Sequence, residues 1–247
     1  MADWLFDLGN SRLKCASLDA DGRMGEVVAI AHEAGAFDAP QFEVLPEVIG
    51  HAYLASVASA PLCEALQREL QARGAHVHRV RTEARCGGMT IAYDTPAHLG
   101  VDRFLALLAA HARGGEQLVI GVGTALTIDL LAAGGRHHGG RIAPSPTLMR
   151  ESLHARAAHL PATGGDYQAF AGDTTDALAS GCLGAALALI EDSRREAEQV
   201  LGRAPDLLMH GGGAAELMPH LREARLVPDL VLEGLARRVR VQAADTP

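Results

Sequence analysis

Two short stretches of this chain, Phe6-Asp7-Leu8-Gly9-Asn10-Ser11 and Ile120-Gly121-Val122-Gly123-Thr124-Ala125, share one pattern in which an apolar run breaks at a glycine and then resumes. They lie about 114 residues apart in a chain of 247, near half its length, an offset that suggests an internal duplication. A strand-glycine-strand unit is also what any hairpin needs, so the order of elements around each turn must carry the case. Before the midpoint, short alternating runs at Trp4 to Phe6, Leu13 to Leu18 and Val27 to Ala31 predict strands, and a further buried strand follows in HAYLASVAS. PLCEALQRELQARG predicts a helix with Pro61 in its first turn and Gly74 closing it. AHVHRV reads as a strand, Gly87 and Gly88 as a loop, and PAHLGVDRFLALLAAHARGG as one long helix stopped by a glycine pair. The second half starts over with strand, glycine turn and strand in EQLVIGVGTALTIDLLAAGG, and a third strand in HHGGRIAPS. After it come a helical PTLMRESLHARAAHLP, a long helix from about Thr174 to Leu201, the strand DLLMH and a last helix around Leu230 to Val241. The expected architecture is α/β with a βββαβα arrangement in each half and domains at 1–114 and 115–247.

Composition narrows the function. With 48% hydrophobic and 21% charged residues, the chain can bury one large core or two modest ones. A formal net charge of -8 argues against a nucleic-acid surface, because phosphate backbones are held by accumulated Lys and Arg. The apolar stretches Phe104 to Ala112 and Ala177 to Ile190 fall short of the roughly 20 residues a bilayer requires, so no membrane contact is expected. MADWLFDLGN has no basic segment ahead of an apolar run, which suggests a cytoplasmic protein. Cys15, Cys63, Cys86 and Cys182 lack C-x-x-C spacing and are expected as reduced thiols, and His137 and His138 as loop residues without metal-ligand spacing.

The two turns admit two readings. Backbone N–H groups at a tight glycine turn can hold phosphate oxygens. Asn10, Ser11 and Lys14 add an amide, a hydroxyl and a cation, and Asp7 is able to hold Mg²⁺ directly or through water. Equally, Asp7 and Asn10 favour an ordinary hairpin by bonding their own backbone, with Lys14 solvated. Gly123-Thr124-Ala125-Leu126-Thr127 repeats the arrangement with hydroxyls and no charge, either as a second phosphate grip or as a plain buried hairpin. In LGVDR, Asp102 is favoured by the dipole of the helix it starts, or serves as a base for an attacking hydroxyl beside Arg103 as an anion holder. In GDTTDALASG, Asp173 or Thr174 caps a helix.

Taken in order, D-x-G-N-S-x-x-K, Y-x-x-P-x-x-L-G-x-D-R, G-T-A-x-T-x-D, G-G-x-I-x-P and a late G-G-G resemble the type III pantothenate kinase family over nearly the whole chain. The resemblance implies duplicated actin-like ATPase (ribonuclease H-like) domains and a homodimer. It implies transfer of the ATP γ-phosphate to pantothenate, the first step of coenzyme A biosynthesis. Matched position by position, Asp7, Leu8, Gly9, Asn10, Ser11, Arg12, Leu13, Lys14 and Thr124 are expected at ATP, with Asp7 near Mg²⁺. Tyr93, Gly100, Val101, Asp102, Arg103 and Thr174 are expected at pantothenate, with Asp102 the base and Thr174 reaching it from the partner chain. A monovalent cation such as K⁺ or NH₄⁺ is a family feature, but Gly121 stands where the family commonly has its Asp ligand. Ser145 likewise replaces a family glycine after Pro144. Two other outcomes fit the resemblance: a kinase for another small hydroxy acid, and an accessory transcription regulator derived from the family.

Overall fold

The computed structural model describes residues 2–32, 37 and 39–244. In chain order the elements are β1 (Asp3–Leu8), β2 (Arg12–Leu18), β3 (Val28–Ala31), β4 (His51–Ser56), α1 (Ala60–Ala72), β5 (His76–Arg79), β6 (Arg85–Cys86), β7 (Met89–Thr90) and α2 (Val101–Arg113). They continue as β8 (Gln117–Val122), β9 (Ala125–Leu131), β10 (His137–Pro144), α3 (Pro146–Arg156), α4 (Thr174–Leu201), β11 (Asp206–His210), α5 (Ala214–Leu217), β12 (Arg225–Leu226) and α6 (Leu230–Ala244). One sheet runs β3-β2-β1-β4-β5 and a second runs β10-β9-β8-β11-β12. In each, the glycine hairpin supplies an antiparallel pair, β1 with β2 and β8 with β9. The fourth and fifth strands then add in parallel, β4 on β1 and β5 on β4, β11 on β8 and β12 on β11. The duplication read from two turns is thus a repeated sheet topology.

By contact the chain forms two compact units, Met1–Arg113 with Gly134–His137 and Asp229–Pro247, and Gly114–Ala133 with His138–Pro228. A division at 114/115 assigns the last helix to the second half, whereas α6 packs on α2 within the first unit. Gly234 permits this: a Cβ there would strike the Leu105 carbonyl, so only a residue without a side chain lets the two helices approach so closely.

In the first unit, Phe6 and Leu8 on β1 join Leu54 and the α1 stripe Leu62, Leu66 and Leu70 in one core. Alternation puts Leu5 and Asp7 on the opposite face, where α6 contacts β1 and α2 contacts β4. Residues 103–110 of α2 are buried without interruption, the mark of a helix enclosed on all sides. The long helix expected from Pro96 is shorter. A single 3-10 turn covers Pro96–His98, Leu99 is extended, and the first helical bond runs from Phe104 N–H to Gly100 C=O. That break leaves Asp102 in the first turn.

In the second unit α4 buries Leu183, Ala186, Ile190 and Ala197 against Leu118, Ile120, Leu126 and Ile128. Asp173 is its cap, accepting from the N–H groups of Thr175 and Asp176, and Gly202 ends it at φ 73°. The helix expected over PTLMRESLHARAAHLP stops at Arg156, after which Ala157 leaves helical backbone. His137 and His138 are strand residues at the start of β10, not loop residues, and His137 is fully enclosed. Gly87 and Gly88 form a two-residue turn between β6 and β7, both at positive φ. Among the described residues no helix is long and apolar enough to cross a membrane.

Candidate active site

The β1–β2 turn is closed by a hydrogen bond from Gly9 N–H to Arg12 C=O at 3.0 Å, leaving Asn10, Ser11 and Arg12 exposed at its tip while Leu8 and Leu13 are buried on its stems. His32 braces this turn. Its N–H donates to Ser11 C=O at 3.3 Å, and its ring Nε2 lies 3.1 Å from Gly9 C=O, which only accepts, so that nitrogen carries the hydrogen. One residue inside the turn, Asp7 stands directly across from Lys14 in the strand register. The Lys14 ammonium donates to Asp229 Oδ1 at 2.9 Å, immediately ahead of α6.

Asp7 and Asp102 interact. The Asp7 carboxyl is pushed up to about 7, first by burial and next by the negative charge of Asp102, while Lys14 pulls it down. Two positions far apart in sequence therefore oppose like charges in one place. Asp102 is held there by local geometry: its Oδ1 accepts from Arg103 N–H at 2.8 Å. A Cβ on Gly100 would lie 2.5 Å from that oxygen, so glycine at 100 keeps the carboxylate's position clear. The preceding apolar residue Val101 is buried and anchors the turn.

Arg103 is a buried cation, only 6% exposed, whose Nη1 donates to Tyr93 Oη at 3.3 Å and whose guanidinium sits 5.9 Å from the Tyr93 ring centre. Tyr93 also lies parallel to His137, ring centres 6.1 Å apart, and His137 Nδ1 accepts from Ala92 N–H at 3.3 Å. Asp7, Lys14, Tyr93, Gly100, Val101, Asp102 and Arg103 thus all fall in the first unit. Sequence reasoning missed His32, His137 and Asp229, because each acts through a partner distant along the chain and carries no local motif.

Thr124 and Thr174 belong to the second unit. Thr124 is exposed at the β8–β9 turn, its C=O accepting from Ser145 N–H at 3.4 Å. Thr174 is exposed as the first residue of α4, beside the Asp173 cap. Gly121, at the end of β8, has no room for a side chain: a Cβ would lie 2.7 Å from Thr127 Oγ1 and 2.9 Å from His210 Nε2.

Among the described residues, no three His, Cys, Asp or Glu side chains form a metal cage. Mg²⁺ needs no such cage when phosphate oxygens and waters fill most of its octahedron. Two carboxylates in one unit, that of Asp7 raised first by burial and next by the charge of Asp102, gain from a nearby cation and fit such an ion.

A model of the type III pantothenate kinase family matches residues 4–196. A type III pantothenate kinase of Stenotrophomonas maltophilia (strain R551-3) is 60% identical over 237 residues, which is 96% of this chain and 97% of that one. Among solved structures, a Campylobacter jejuni protein described as a conserved candidate transcriptional activator of the Baf family aligns with a TM-score of 0.63 at 20% identity, covering 98% of this chain and 99% of its own. The ethanolamine utilization protein EutJ of Carboxydothermus hydrogenoformans aligns with a TM-score of 0.53 at 12% identity, covering 96% and 90%. At such identities these structures speak to the fold alone, the duplicated actin-like ATPase architecture of two mixed sheets. With the family model spanning most of the chain and a relative this similar over nearly all of it, the chain belongs to the type III pantothenate kinase family.

Proposed function

We propose that this protein transfers the γ-phosphate of ATP to the primary hydroxyl of pantothenate, yielding 4'-phosphopantothenate and ADP. The observation that carries the proposal, given the family, is that Asp7, opposite Lys14 on the first glycine hairpin, and Asp102, held in the first turn of α2 by the Arg103 N–H, fall in one unit, where burial and then the Asp102 charge raise the Asp7 carboxyl. In this scheme Asp102 accepts the proton of the pantothenate hydroxyl as that oxygen attacks the γ-phosphorus. The turn from Asp7 to Lys14 presents backbone N–H groups, the Asn10 amide, the Ser11 hydroxyl and the Lys14 ammonium to the phosphates, and Thr124 contacts ATP. Tyr93, Gly100, Val101 and Arg103 hold pantothenate, with Arg103 taking its carboxylate or the transferring phosphoryl group. Thr174 reaches pantothenate from the second copy of a homodimer. Mg²⁺, when bound near Asp7, neutralises the phosphate charge that develops during transfer. Catalysis is then chiefly positioning and charge compensation.

A coupled ADP-release assay with Mg-ATP tests the activity. Release that requires pantothenate, and that other small hydroxy acids do not elicit, supports the proposal; equal release without an acceptor, or with an unrelated one, rejects it. Loss of the carboxylate at position 121 removes the charged ligand a monovalent cation needs. We therefore expect activity to rise no more with KCl than with a non-coordinating salt of equal ionic strength. Light scattering on the purified chain tests the dimer.

A further inference from the structure

Within the first unit a cavity of about 380 Å³ opens between α2, α6 and the turn that follows β2, and none of its lining residues belongs to the site above. Four arginines line it, Arg23, Arg113, Arg237 and Arg240, against a single acid, Glu233. In a chain of net charge -8 this is a local excess of positive charge. The excess is not relieved internally. Glu233 is engaged by Arg113. Arg23 has Asp21 at 3.7 Å, an exposed pair of little weight. Arg237 and Arg240 form no salt bridge among the described residues, and the buried Nε of Arg237 has no hydrogen-bond partner there. Arg237 also bears on its surroundings: after burial, its charge is what lowers the pKa of His111 on α2.

The backbone is shaped to hold this arrangement. Positions 233, 236, 237 and 240 fall on one face of α6. Gly22, at φ 74°, lies beneath the Arg240 stem, where a Cβ would meet Arg240 Cδ at 2.5 Å. Like charges gathered on one face, one of them with an unpaired buried N–H, cost stability unless an anion completes them. Guanidinium forks match phosphate and carboxylate oxygens two at a time. The volume stands at the small end of ligand sites, and Met24, Ala109, Ala112 and Ala236 give the remaining wall an apolar character. We infer that this cavity binds a small organic polyanion, carrying phosphate or carboxylate groups on a short carbon frame, at a site separate from the kinase centre.

Calorimetric titration of the full chain with pyrophosphate and with citrate, at constant ionic strength and without Mg²⁺ or ATP, tests the inference and separates the two chemistries. Saturable binding of at least one probe is expected. The affinity should fall at least about tenfold in the double variant Arg237→Gln/Arg240→Gln, and a saturable isotherm should persist in Lys14→Gln. Absence of saturation with both probes overturns the inference. So does unchanged affinity in the double arginine variant, or loss of binding in Lys14→Gln, which would move the anion to the phosphate turn.

Discussion

The two glycine hairpins share a fold and differ in chemistry at one equivalent position. In the first sheet Asp7 has Lys14 across the hairpin and Ala55 on the parallel side. In the second, Gly121 has Thr127 across the hairpin and His210 on the parallel side. Small Ala55 leaves the first position open for a carboxylate, while Thr127 and His210 fill the space a side chain would need at the second. The first turn also spans one residue more, since Leu8 pairs with Leu13 but Val122 pairs with Leu126. Duplication therefore preserved the hydrogen-bond ladder, and the facing carboxylate and ammonium stand on one copy only. A ladder constrains only backbone groups, so each copy was free to change what its side chains present.

If the first unit supplies the reacting charges and the second only contacts ATP, substitutions in the two should differ in kind. The largest effect is expected from Asp102→Asn, a loss of about 10² to 10⁴-fold in turnover with unchanged circular dichroism; wild-type turnover in that variant would remove the base from the scheme. Next is Asp7→Asn, read as stability. Because the folded-state pKa of Asp7 is raised, its neutral form favours the fold below the ordinary carboxylate range, and that contribution is lost as pH rises through about 7. Denaturant unfolding without ligands should find Asp7→Asn more stable than wild type near pH 8, by at most about 4 kcal/mol, with the gap narrowing toward pH 5. Parallel stability profiles would mean that burial and the Asp102 charge together do not raise the Asp7 carboxyl.

A smaller, contrasting effect is expected in the second hairpin. Thr124→Ala should raise the KM for ATP about tenfold, the weight of one hydrogen bond to a charged group, and leave kcat near wild type. A fall in kcat as large as that of Asp102→Asn would erase the distinction between the hairpins. Of comparable size, and read as stability, is Gly121→Ala, expected to cost about 1 to 3 kcal/mol by overpacking against Thr127 and His210. Adding His210→Ala should recover part of that loss in a double-mutant cycle, whereas strict additivity would show that the imidazole does not occupy the space.

Much of this was legible because it is local. Gly9 and Gly123 marked the hairpins, Gly74 and the pair Gly114 and Gly115 marked helix ends, and Asp173 or Thr174 marked the start of α4. Each owes its signal to turn or cap chemistry within a few residues. The start of α2 was misread because Pro96 is a good helix opener, and only the extended Leu99 moves the true start to Val101. His137 was passed over as one of two adjacent histidines, although its ring lies parallel to Tyr93. The membership of α6 in the first unit rests on a glycine whose meaning depends on Leu105, far back along the chain.

What the residue order determined alone was the alternation of apolar and polar positions and the punctuation of its turns, hence two α/β halves built alike and the motifs on their tips. Hydrogen-bond periodicity and backbone sterics act over a handful of residues, so they can be read along a line. Tertiary structure alone decided that the charge of Asp102 bears on Asp7, that Asp229 holds Lys14, and that four arginines share one cavity. Desolvation and charge interaction depend on distance through space, and that distance exists only once strands have paired and helices have packed.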